Sequence, residues 1–128
     1  MRSRMAVWGR WLVVFVAALG LWLGSDRPIR GPFSLPFPHA DKAMHAAAYA
    51  VFAALVFRAL WTEAVPVPAR VLALGVLLAA VWGATDEIHQ WFVPGRCCDA
   101  LDWTADVFGA ALAALAWTPL TTRFAWLR

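Results

Sequence analysis

The chain has 128 residues, of which 62% are hydrophobic and only 15% charged, and its mean hydropathy is +0.64. So few charges cannot coat a globular surface, which excludes an ordinary soluble domain, and the length allows one domain spanning 1–128. The net charge of +3 comes from Lys and Arg scattered at the ends of apolar runs with no basic stripe, which speaks against nucleic acid and marks them as topology determinants.

The first apolar run, 11–23, follows Arg2, Arg4 and Arg10 and ends in Leu23, Gly24, Ser25 and Asp26. No A-x-A-like cleavage site follows, so it reads as an uncleaved span over about 7–23. Gly20 and Gly24, four apart, offer a neighbouring backbone a close approach. Residues 25–40 form a loop, because Pro28, Pro32, Pro36 and Pro38 forbid a regular helix. With Phe33, Leu35 and Phe37 between the prolines, it dips towards the headgroups as a partial lid.

A second span covers about 42–61, with Asp41 as its N-cap. After a connection holding Glu63, Pro66, Pro68 and Arg70, a third span covers 71–91, roughly 31 Å at ~1.5 Å per residue. Val93, Pro94, Gly95 and Arg96 make a turn. Cys97 and Cys98 follow; adjacent cysteines pair only as a strained ring and match no metal-finger spacing, so they read as small loop residues. The fourth span, about 102–117, is ended by Pro119.

Seven of the nine Trp (Trp8, Trp11, Trp22, Trp61, Trp91, Trp103 and Trp117) fall at or near span ends, where amphipathic rings favour the headgroup level. Trp82 lies mid-span and Trp126 beyond the last one. Four spans put both termini on one side. Arg2, Arg4, Arg10, Arg58, Arg70, Arg123 and Arg128 then share that side, against Arg27, Arg30, Lys42 and Arg96 on the other. The excess points to cytoplasmic termini. The fold expected is all-α, a four-helix transmembrane bundle in the inner (cytoplasmic) membrane of a bacterial cell.

That topology gathers polar residues at one depth. Asp41, His45 and Tyr49 share a face of the second helix, Glu87 and Gln90 a face of the third, and Asp102 and Asp106 a face of the fourth. His45, Glu87 and Asp106 each lie roughly 5–6 Å inside the nearest span end. Six of the eight acids (Asp41, Asp86, Glu87, Asp99, Asp102 and Asp106) belong to this layer or its rim, with Lys42 and Arg96 as its permanent cations. Such a cluster holds protons, binds a cation or awaits a cationic ligand.

Plainer accounts exist for some of these residues. Asp41, Asp99 and Asp102 stand where helices begin and can serve as caps. Lys42 can snorkel, Tyr49 can be a core residue with one buried hydrogen bond, and His89 can be merely solvated. Glu87 has no such account, because it sits near a helix C-terminus where the dipole disfavours an anion. Asp106 is a full turn past any cap, and intramembrane acids are costly. Arg96, in the turn between them, is suited to pair with a carboxylate or a ligand phosphate.

Asp41-Lys42-x-x-His45-x-x-x-Tyr49, then Glu87-x-x-Gln90-x-Phe92-x-Pro94-Gly95-Arg96, then Asp102-x-x-x-Asp106-x-x-Gly109 together resemble the VanZ-like membrane proteins. The likeness covers roughly 38–115. It implies a small helical integral membrane protein of the bacterial envelope, in a family named after a member that confers low-level resistance to the glycopeptide teicoplanin. Where VanZ-like chains commonly have Asn in the last motif, this chain has Asp106. Asn both donates and accepts, whereas ionised Asp only accepts, so Asp106 is protonated or faces a cation.

Three functions compete. In the first, an outward-facing acidic pocket binds a membrane-derived or wall-derived ligand, such as a lipid-linked precursor or a glycopeptide, through Asp41, Lys42, Tyr49, Gln90, Arg96 and Asp102. In the second, Glu87, His45 and Asp106 perform acid–base catalysis on such a substrate. A small proton-coupled transporter ranks last, since transport sites usually lie near the midplane. The sequence requires no cofactor. Carboxylates with His45 suit a divalent cation, although no helix carries H-E-x-x-H.

Overall fold

A computed structural model describes residues 4–26, 38–61, 66–96, 98–124 and 127. The stretch 27–37, with most of the expected lid, lies outside the described residues, as does Cys97. Four helices and no strand are found among the described residues: α1 (Arg4–Ser25), α2 (Ala40–Leu60), α3 (Ala69–Trp91) and α4 (Ala100–Arg123). Helix α2 packs against each of the other three, most extensively against α4.

Apolar side chains face outward as well as forming the core, in which Phe52, Val56 and Phe57 are buried. Leu12, Phe15, Val51, Leu77, Val81 and Leu115 are exposed, while Asp86, Glu87, Gln90 and Asp106 are buried. Apolar residues facing outward around enclosed polar ones suit lipid as the solvent. Helices α1, α2 and α3 are long and apolar enough to cross a membrane. The fourth helix, expected to be the shortest span, is less apolar than the other three. Helix α4 has 24 residues, but Asp102, Thr104, Asp106, Thr118, Thr121 and Thr122 lower its apolarity. Its place in the bundle rests on packing against α2 and α3.

Small residues make that packing possible. A Cβ on Gly109 of α4 would collide with the backbone of Ala46 in α2, 2.8 Å from its Cα, and one on Gly75 of α3 would strike the Phe57 ring. Ala53, Ala79 and Ala110 are fully enclosed. Close backbone approach of this kind drives helix association where lipid removes the hydrophobic drive. Gly20 and Gly24 make no such approach among the described residues, none of which stands within 4 Å of a Cβ at either.

Helix limits also differ from expectation. Helix α2 begins at Ala40 with His39 as its N-cap at φ 61°, so Asp41 lies in the first turn and is not the cap. Pro119 does not end α4, which continues to Arg123. Proline removes one backbone donor, but Trp117 is buried against Phe57, with centroids 5.7 Å apart, and holds this part of the helix in the bundle. Trp117 is therefore a core residue and not an interface ring. Trp8 and Trp91, each 73% exposed near helix ends, keep the expected placement.

Cross-helix bonds give the direction of each helix. Arg10 near the start of α1 bonds the Arg58 carbonyl near the end of α2, while Ser25 at the end of α1 reaches Asp86 near the end of α3. Lys42 at the start of α2 reaches Asp99 and Asp102 at the start of α4. Consecutive helices thus run in alternate directions. One end of the bundle collects the ends of α1 and α3 and the starts of α2 and α4.

Candidate functional site

Lys42 is the hub of that end. Its ammonium donates to Asp41 Oδ2 at 2.9 Å, Asp99 Oδ2 at 2.6 Å and Asp102 Oδ1 at 2.6 Å, which uses all three of its N–H groups. Asp99 is also the N-cap of α4 and accepts from the Leu101 N–H at 2.8 Å. The Lys42 ammonium, aided by that N–H, holds the Asp99 carboxyl below its usual range. Of the three expected caps, Asp99 alone caps; Asp41 and Asp102 serve Lys42. Lys42 is part-buried and its three N–H groups all go to carboxylates, so it has no donor left for a ligand anion.

One turn deeper, His45 Nδ1 lies 2.9 Å from Asp106 Oδ1, and His45 Nε2 lies 3.8 Å from Asp102 Oδ2. Asp106 is 1% exposed and fits because position 83 is glycine: a Cβ there would stand 3.0 Å from Asp106 Oδ2 and 3.3 Å from Tyr49 Cε1. Glu87, 3% exposed, accepts from the Asp99 backbone N–H at 2.8 Å and from Gln90 at 3.4 Å. His45, Glu87 and Asp106 each place one potential ligand atom within 4.8 Å of the others. Three helices therefore deliver these residues to one spot, as their spacing implies.

Arg96 is placed differently from expectation. Its Nη2 donates to Gln90 Oε1 at 3.0 Å, and no carboxylate forms an ion pair with it among the described residues. Gln90 intervenes physically: its other end faces Asp86 and Glu87 at 3.5 and 3.4 Å, so the amide separates guanidinium from carboxylates. His89 is not simply solvated either; its Nε2 lies 2.6 Å from Asp26 Oδ1 and its ring stacks on Trp22 at 4.0 Å. Tyr49 shares the His45 face as expected, but its buried hydroxyl finds no partner among the described residues.

Sequence reasoning placed Asp86 in the polar layer but missed its partner, Ser25. Ser25 belongs to α1, not to the following loop, and its hydroxyl donates to the buried Asp86 carboxylate at 2.6 Å. The available signal was a lone hydroxyl closing an apolar run, with an acid inside another.

These residues border a cavity of about 280 Å³ between α1, α2 and α3. Its lining is mixed: Gly20, Leu21, Gly24, Met44 and Ala48 are apolar, and Ser25, Asp41, His45, Tyr49, Asp86, Gln90 and Arg96 are polar. The glycines lining it explain why no side chain of α1 fills it there.

A family model described as VanZ/LLP1 matches residues 4–122. The chain belongs to the VanZ/LLP1 family. The match starts with α1 and ends one residue short of the end of α4, so the whole bundle is the family's unit. No curated protein and no solved structure matches the chain. For this VanZ/LLP1 protein the all-α fold and the apolar helices are established, and its chemistry must be argued from the cavity.

Proposed function

We propose that this VanZ/LLP1 protein binds an amphipathic ligand, derived from the membrane or the cell wall, in the cavity between α1, α2 and α3. The observation that carries this reading is the mixed lining: the apolar Leu21, Met44 and Ala48 share the cavity wall with His45, Asp86 and Arg96. Such a lining suits a molecule with an apolar tail and a polar head, such as a lipid-linked wall precursor. Arg96, bonded to a neutral amide, keeps its charge for a phosphate or carboxylate of that head. The Lys42 assembly frames the site rather than gripping the ligand.

In the same reading the termini are cytoplasmic and the polar end opens outward from the inner membrane of a bacterium, where wall precursors are displayed. Capturing a precursor or a glycopeptide there would raise teicoplanin tolerance. The test is binding of lipid-linked wall precursor to the purified protein in detergent. Arg96→Ala and Met44→Trp should each weaken it about tenfold or more, the cost of one charge-assisted hydrogen bond or a blocked apolar wall. Undiminished binding in both variants rejects the cavity as the site.

An enzymatic reading draws on one further observation, the imidazole of His45 against the buried Asp106 carboxylate with Glu87 alongside. A carboxylate that orients a histidine is a recurring way to prepare a general base. Turnover of the bound precursor that disappears in His45→Ala and Glu87→Gln, with binding retained, would favour it. Unchanged turnover in those variants would dismiss it.

A further inference from the structure

The enclosed acids at the polar end are short of positive charge. All three Lys42 donors go to Asp41, Asp99 and Asp102, and the Arg96 Nη2 bond goes to Gln90. Deeper in, Glu87 has an amide and a backbone N–H as hydrogen-bond donors, and Asp106 has the His45 ring. Buried charges in proteins are paired or coordinate metals. Two carboxylates and an imidazole, from three different helices, place ligand atoms within 4.8 Å of one another.

A second feature points the same way without involving an acid. The Tyr49 hydroxyl is buried, with the residue only 2% exposed, and has no hydrogen-bond partner among the described residues. A buried hydroxyl without a partner costs roughly 1–3 kcal/mol, so an acceptor is expected nearby. Tyr49 stands one turn below His45 on the same face of α2, with its ring edge beside Asp106 against Gly83. A bound group that carries an oxygen is therefore expected to reach the hydroxyl beside Asp106.

We propose that His45, Glu87 and Asp106 bind a divalent transition-metal ion whose remaining positions are taken by water, one of which accepts the Tyr49 hydroxyl bond. The 2.9 Å between His45 Nδ1 and Asp106 Oδ1 is close to the ~3.0 Å expected of neighbouring donors about 2.1 Å from one ion. One nitrogen with two carboxylates suits Mn²⁺, Fe²⁺ or Zn²⁺ better than Ca²⁺, which takes six to eight oxygens. The ion site shares His45 and Tyr49 with the cavity of the ligand reading, but Glu87 and Asp106 belong to the ion site alone and its test reads ion binding without any amphiphile.

The test uses the full chain, purified in detergent and washed with chelator, and Mn²⁺ as the probe. One saturable Mn²⁺ site per chain is expected, read from loss of the free-ion electron paramagnetic resonance signal. Glu87→Gln and Asp106→Asn should each weaken it by at least the ten- to hundredfold, roughly, that loss of an outer-shell partner costs. His89→Ala should leave it unchanged. If either acid variant fails to fold, the wild-type protein still decides the matter. Of the three histidine ring resonances, Mn²⁺ should broaden that of His45 first. Absence of saturable binding, full binding in both acid variants, or broadening that spares His45 would each overturn the proposal.

Discussion

Gly109 of α4 lies against the backbone of Ala46 in α2, and the pair His45–Asp106 sits within one turn of this crossing. The glycine therefore sets the distance at which imidazole and carboxylate meet. Gly109→Ala must push the helices apart and should cost about 1–3 kcal/mol, as overpacking of a tight interface does. Gly24→Ala, where none of the described residues stands within 4 Å, should change stability by less than about 0.5 kcal/mol. Denaturant-driven unfolding in detergent separates the two; equal effects would mean that the backbones are not in contact.

Asp106 should tolerate substitution by shape before charge. Asp106→Ala leaves His45 Nδ1 without its partner in an enclosed place and should destabilise by about 3–5 kcal/mol. Asp106→Asn keeps an acceptor oxygen at the same position and matches the residue common in VanZ-like chains, so its cost should stay near 1–3 kcal/mol. A reversed order in the same unfolding measurement contradicts the pairing.

Lys42 should control the titration of Asp99. Because the Asp99 carboxyl is held below its usual value, the contribution of this pair to stability is present above about pH 4 and is lost as the pH falls through the lowered value. Carboxyl carbon shifts followed by NMR should show Asp99 titrating at a lower pH in the wild type than in Lys42→Met. An Asp99 titration unmoved by that substitution would mean that the ammonium lies elsewhere.

Tyr49→Phe removes a hydroxyl that has no partner among the described residues of the chain. Without added metal the variant should be as stable as the wild type or more so, by up to ~1 kcal/mol, since no bond among the described residues is lost. A loss above ~1 kcal/mol in chelator-washed protein would show that the hydroxyl already has a protein acceptor.

Membrane residence and the positions of the helices can be read directly from the chain, because a run of apolar residues must hide its backbone in a helix whatever its neighbours are. The meeting of His45, Glu87 and Asp106 was readable for a related reason: helical rise places each at one depth once consecutive helices alternate in direction. Other features depend on which group reaches a charge first, and one-dimensional order does not contain that. Lys42 has taken three carboxylates, so Arg96 is left with an amide; Ser25 binds Asp86 across 61 positions. Pro119 continues a helix because Trp117 is wedged against Phe57, a contact between residues 60 positions apart. Spacing along a helix fixes direction and depth, whereas the choice among competing partners is made by packing in three dimensions.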